Sequence, residues 1–115
     1  MKYLIYQLKE NERNRAFSST SYLLKSGEID SLDKINEESY NLIYEGTYRP
    51  EWESMDKNSI LEEIFTIFNI ERPIDFKGHS LSVSDVVAFD YEDGNKSAYF
   101  VESIGFTRLG RFFKN

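Results

Sequence analysis

The 115-residue chain contains no cysteine, which excludes disulfides and thiolate zinc sites alike. It contains one histidine, His79. A metal ion would have to be held by carboxylates with at most that imidazole, a donor set suited to Mg²⁺ or Ca²⁺. There is no D-x-D-x-D-G calcium loop, no Gly-rich phosphate loop and no dinucleotide fingerprint. No run approaches the roughly 20 apolar residues of a membrane helix. The opening Met1-Lys2-Tyr3-Leu4-Ile5-Tyr6-Gln7-Leu8 is too short and too polar for a secretory signal. The cytoplasm is therefore the expected compartment, with no membrane, cofactor or metal involved.

Aromatic residues are plentiful. Nine Phe and eight Tyr stand in a chain that is 40% hydrophobic and 30% charged. That is enough apolar material for a packed core under a solvated surface, and too much for a disordered chain. The length suits one domain, residues 1–115. The net charge of −6 is unevenly spread. Residues 28–63 hold eleven acids and three bases, whereas residues 1–27 hold two and five and residues 64–115 seven and six. Such a field repels a phosphate backbone and attracts a basic partner. It serves solubility equally well.

Residues 3–8 are rich in β-formers and predict a first strand, with Leu4, Tyr6 and Leu8 on one face and Tyr3, Ile5 and Gln7 on the other. Lys9 to Arg15 is a charged break. Ser18 to Ser26 predicts a short helix, capped by Ser18 or Ser19 and stopped by Gly27. Asp30 to Glu38 predicts loop or a helical turn, and Tyr40 to Gly46 a second strand. Thr47 to Asn58 reads as an excursion. Ser59-x-x-Glu62 has the form of a capping box. Behind it Ile60, Leu61, Ile64, Phe65, Ile67 and Phe68 recur at helical spacing, predicting a helix from about Ser59 to Asn69 with Ile64, Phe65 and Phe68 buried. Pro73 enforces its end. Val86 to Tyr91 and Lys96 to Glu102 predict a hairpin around Glu92-Asp93-Gly94-Asn95. Thr107 to Asn115 is expected to pack back as a short element. The expected fold is α+β: an antiparallel or mixed sheet of about four strands with two helices packed on one face.

Gly78-His79-Ser80-Leu81-Ser82-Val83-Ser84-Asp85 offers Ser, His and Asp together. A catalytic triad needs side chains converging from separate parts of a fold. Residues this close more readily bond local amides and shape a tight turn into the next strand. No catalytic residue is assigned. The acids of Glu51, Glu53 and Asp56, and of Asp30 and Asp33, fall in predicted loops rather than on the rigid elements that metal chemistry requires. Arg13, Arg15 and Lys25 near the start, with Arg108, Arg111 and Lys114 near the end, make at most a small positive patch.

The stretch Asp75 to Val87, preceded by Phe68-Asn69-Ile70-Glu71-Arg72-Pro73 and followed by Tyr99-Phe100-Val101-Glu102-Ser103-Ile104-Gly105-Phe106, resembles the YodL-like domain family. Ile5-Tyr6-Gln7-Leu8-Lys9 and Tyr44-Glu45-Gly46 carry the likeness across most of the chain. Glu102 stands where that family usually has Asp, and the excursion at 47–58 is longer than usual. The resemblance makes Gly78, His79, Ser80, Leu81, Ser82, Asp85, Gly105 and Phe106 a structural family motif. It brings no catalytic residues with it. It implies an accessory protein of bacterial plasmids and integrative elements, a setting that includes inhibitors of host defence such as anti-CRISPR proteins.

The resulting expectation is a monomeric, non-enzymatic, stoichiometric inhibitor. It would bind a partner with a basic surface, an RNA-guided nuclease being the sharpest candidate. The acids expected to do so are Glu28, Asp30, Asp33, Glu37, Glu38, Glu51, Glu53 and Asp56. Nucleic acid is not expected as the main partner. The alternatives are a protein that cleaves or binds RNA, through His79 or a carboxylate pair, and a regulatory module for an unrelated host protein.

Overall fold

The computed structural model describes residues 1–113, and within them every side chain except that of Arg13. The Arg13 side chain and Lys114, both counted in the basic groups above, lie outside the described residues. The elements follow in the order β1 (Lys2–Leu8), α1 (Thr20–Ser26), β2 (Tyr40–Thr47), α2 (Lys57–Ile70), β3 (Val86–Asp90), β4 (Lys96–Val101) and β5 (Phe106–Leu109). They form an α+β fold with one five-stranded sheet, ordered β2-β1-β3-β4-β5. Every neighbouring pair is antiparallel.

The fifth strand comes from the terminal element. Phe106 to Leu109 pairs with β4 through Val101↔Phe106 and Ala98↔Leu109, and the chain then turns so that Phe112 is fully buried.

The helices lie on opposite faces of the sheet, not on one face as expected. Tyr3 and Ile5 of β1 join Ile60, Leu61, Ile64, Ile67 and Phe68 of α2 in one apolar cluster. Leu4 and Tyr6 join Leu23 of α1, with Ile29, Ile35 and Phe112, in another. The cause is in the central strands. Successive side chains of a strand point to opposite faces. Residues 3–6 of β1 and Val86–Phe89 of β3 are buried throughout. A sheet apolar on both faces needs a cover on each.

Three local differences have physical reasons. Helix α2 starts at Lys57 because Asp56, not Ser59, is its cap: the Asp56 carboxylate accepts from Ser59 N at 2.7 Å. That bond holds the carboxyl below its ordinary range. Phe65 is only half-buried at the rim of its cluster, whereas Phe68 is fully buried and meets Tyr3, Tyr44 and Phe76 edge-on at 6.0, 5.2 and 4.9 Å. The excursion at 47–58 contains a 3-10 helix, Pro50–Ser54, whose Trp52 is fully buried against the α2-side core. Its indole N–H donates to Glu63.

Helix α1 is bounded as its sequence predicts. Ser19 Oγ accepts from Tyr22 N, and Gly27 at φ 80 supplies the left-handed stop.

Candidate binding site

At one end of the sheet, β1 and β2 fall out of register. Tyr44 faces Ile5 while Leu42 faces Tyr6, so Ile43 is the extra residue of a bulge. The loop entering β3 is laid against this bulge at Gly78. A Cβ there would stand 2.4 Å from Gln7 Oε1 and 2.8 Å from Ile43 Cγ2, a separation only glycine permits. Gln7 is the one amide side chain in a strand otherwise aliphatic or aromatic from Tyr3 to Leu8, and it is buried. Its amide donates to His79 O at 2.9 Å and to Asp85 Oδ2 at 3.2 Å, and its carbonyl accepts from His79 N at 3.3 Å. Asp85 closes the loop. Its carboxylate accepts from Ser82 N at 2.9 Å while its own N–H donates to Ser82 O at 3.0 Å. Leu81 anchors the middle of the loop in the α2-side core.

Asp85 is 2% exposed. Burial pushes its carboxyl up to about 7, against the opposing pull of the Ser82 amide, of His79 and of Gln7. His79 Nδ1 lies 3.9 Å from Asp85 Oδ2 and 2.7 Å from Ser80 O. The same Nδ1 also faces the Gln7 amide nitrogen at 3.2 Å, so it stands between an acceptor and a donor, and both tautomers find a partner there.

Phe17, beside this loop, and Ser84, within it, carry backbone strain. Phe17 has φ 67 and Ser84 has φ 79. Each such conformation costs a non-glycine residue about 1–3 kcal/mol and persists only where the surroundings fix it. They fix one another: Phe17 N donates to Ser84 Oγ at 3.0 Å and lies 3.2 Å from Val83 O. Ser84 is held further by the Tyr40 hydroxyl, which donates to its carbonyl at 2.6 Å, and by its own N–H on Val101 O at 2.9 Å. Phe17 is 70% exposed, so burial of the ring does not offset the strain. Between Phe17 and the loop is a cavity of about 190 Å³, walled by Leu8, His79, Ser82, Ser84 and Asp85. Ser82 Oγ is buried there without a hydrogen-bond partner among the described residues.

The acids expected to form one surface are divided by the sheet. Glu28, Asp30, Asp33, Glu37 and Glu38 follow α1, in a segment pinned by Ile29 and Ile35 to the α1-side core. Glu51, Glu53 and Asp56 surround Trp52 on the α2 side. Asp56 serves its helix cap. Glu37 is half-buried and shares a small polar cavity with Lys96 and Arg108. Glu28, Asp30 and Asp33 are exposed, and among the described residues their carboxylates enter no ion pair or hydrogen bond. The base nearest to them along the segment is Lys34. Among the described residues, no three of His, Asp and Glu converge as metal ligands do.

At the same end of the sheet as the loop entering β3, Gly105, at φ 80, turns the chain into β5 at Phe106. Glu102 takes the Thr20 amide at 3.0 Å and both the Thr20 and Thr107 hydroxyls, tying the start of α1 to the β4–β5 corner.

Gln7, Phe17 and Tyr40 were not singled out from the sequence. A lone amide in an apolar strand was a usable signal for Gln7. Nothing local marks Phe17 as left-handed.

Sheet, loop and cleft define a small antiparallel α+β module with a buried carboxyl at one end of its sheet. The chain belongs to the YodL-like domain family, whose sequence profile matches residues 2–112. No curated protein and no solved structure matches it. Among the described residues no helix is long and apolar enough to cross a membrane.

Proposed function

We propose that this chain is a non-enzymatic accessory protein of a mobile element that binds a basic, nucleic-acid-handling surface of a host protein and blocks it one-to-one. An RNA-guided nuclease is the sharpest candidate, because its guide and target channels are lined with positive charge. The observation that carries the reading is the segment after α1: Glu28, Asp30 and Asp33 stand exposed with no neutralising partner among the described residues. Charges left unpaired on a rim contribute little to folding but steer association with an oppositely charged partner. Glu51 and Glu53 on the α2 side are exposed and unpaired among the described residues as well; the α1 side is the proposed binding face because it groups three such acids within residues 28–33.

A second reading rests on His79, a half-exposed imidazole at the cavity whose Nδ1 is held between the Ser80 carbonyl and the Gln7 amide. It would make the protein a general-base catalyst acting on RNA. One titration separates the two. The protein is added in steps to a guide-loaded RNA-guided nuclease, and target-DNA cleavage is followed. The binder reading predicts that inhibition saturates near one molecule per nuclease, and that His79→Ala inhibits within a few fold of the parent. Full inhibition at roughly one molecule per hundred nucleases, abolished by His79→Ala in a folded variant, would establish the catalytic reading instead.

A further inference from the structure

We propose that the cavity beside Phe17 receives an arginine side chain of the bound partner, with the guanidinium lying against the Phe17 ring and donating to Asp85 and to the unpartnered Ser82 Oγ. This rests on the reading above that the partner is a basic protein, and it names the group that anchors it.

The wall chemistry selects the ligand. Asp85 brings a carboxyl, and Ser82 Oγ is a buried hydroxyl with no partner among the described residues. A buried hydroxyl left unbonded is a vacant hydrogen-bonding position that a ligand's N–H satisfies. Among the described residues no lysine or arginine lines the cavity, and its one basic group, His79, already faces Asp85 at 3.9 Å. A phosphate would bring only acceptor oxygens to the Asp85 and Ser82 oxygens, whereas a guanidinium brings N–H donors. Leu8 offers an apolar side for a methylene stem.

The strained backbone places Phe17 at the cavity. Phe17 sits in a left-handed conformation and is 70% exposed. A flat aromatic ring at a cavity mouth beside a carboxyl is the arrangement in which a planar guanidinium gains most. It stacks on the face and forks its N–H groups to oxygen acceptors, and it is less strongly hydrated than an ammonium. The same design favours arginine over lysine.

The placement agrees with the proposed binding face. Phe17 lies three residues before α1, and the acidic segment begins directly after the α1 stop at Gly27. Tyr40, which closes that segment, is bonded to Ser84 in the cavity wall. An arginine seated in the cavity would bring a basic partner to the side of the sheet covered by α1, the side that carries Glu28, Asp30 and Asp33.

The test is an NMR titration of the intact ¹⁵N-labelled protein with acetyl-Gly-Arg-Gly-amide. Parallel titrations use the lysine and citrulline versions of that peptide and a uridine hexanucleotide. The arginine peptide is expected to shift the amide signals of Phe17, Ser82, Ser84 and Asp85 saturably, with lysine and citrulline binding more weakly. Phe17→Leu, which keeps an apolar side chain, should weaken the arginine peptide by about 3- to 10-fold, the loss of one cation–π contact. Ser82→Ala should weaken it as well. The proposal is overturned by citrulline binding as well as arginine, by Phe17→Leu binding as well as the parent, or by shifts at these amides from the hexanucleotide alone. No nuclease enters the titration. An empty cavity would remove the anchor and leave the acidic-face reading standing, and a filled one would survive failure of the cleavage assay.

Discussion

Phe68→Ala is expected to cost about 3–5 kcal/mol of unfolding free energy, a large part of the roughly 5–15 kcal/mol by which a domain of this size is stable. The Phe68 ring has no exposed surface and stands between Tyr3 of β1, Tyr44 of β2 and Phe76 of the following loop. Removing it leaves a cavity that three large, interlocked rings cannot collapse to fill. Phe65, three residues earlier and half-buried at the rim, should cost clearly less when truncated. Urea unfolding of both alanine variants checks the order. A larger loss at Phe65 than at Phe68 would mean that α2 is rotated on the sheet relative to this structure.

Asp85→Asn is expected to remove most of a fall in stability between about pH 4 and pH 8. Burial holds the Asp85 carboxyl protonated up to about 7, while its ordinary value is 3.8. Between those values the unfolded chain carries fewer protons than the folded one, so stability falls as pH rises. The contribution is fully present below about 4 and is lost by the time the pH passes the folded value. A raise of this size corresponds to on the order of 4 kcal/mol, or on the order of 10 °C in melting temperature for a chain of this length. The asparagine side chain can still accept from Ser82 N and Gln7 through its carbonyl but has no proton to lose. The variant should match the parent near about pH 4.5 and exceed it near about pH 8. Thermal melts of both across that range decide it, and parallel curves would contradict the buried, protonated carboxyl.

Much of the fold was legible because periodicity and punctuation agree locally. Ser19 and Gly27 bound α1, Gly94 lies in the β3–β4 turn, and the apolar spacing from Ile60 to Phe68 marks α2. What escaped was set by distant partners. Trp52 lies in a stretch with loop composition and is buried only because the α2-side core has room for it. Phe106 to Leu109 is too short and too mixed to declare itself, and becomes a strand because the edge of β4 is available. Opposite-face helices follow from β1, whose two faces are both apolar and each need a cover.

The candidate site divides in the same way. Gly78 to Asp85 announced a tight loop by composition, and its backbone bonds are those such residues make. The cavity depends on Phe17, whose left-handed backbone follows from contacts with Val83 and Ser84, 66 and 67 positions away. The acidic third looked continuous along the chain. It is divided because β2 carries the chain from one side of the sheet to the other between Glu38 and Glu51.

That division supplies the most direct test of where the protein binds. Two charge-reversal variants are compared with the parent for association with the guide-loaded nuclease at low and high salt. One carries Glu28→Lys, Asp30→Lys and Asp33→Lys on the α1 side, and the other Glu51→Lys and Glu53→Lys on the α2 side. The α1-side set should slow association by about tenfold or more at low salt, with the difference shrinking at high salt as screening shortens to a few ångströms. The α2-side set should stay close to the parent, and both should melt near it, since exposed charges contribute little to stability. Parent-like association by the α1-side set, with the loss falling on the α2-side set, would contradict the assignment of the binding face.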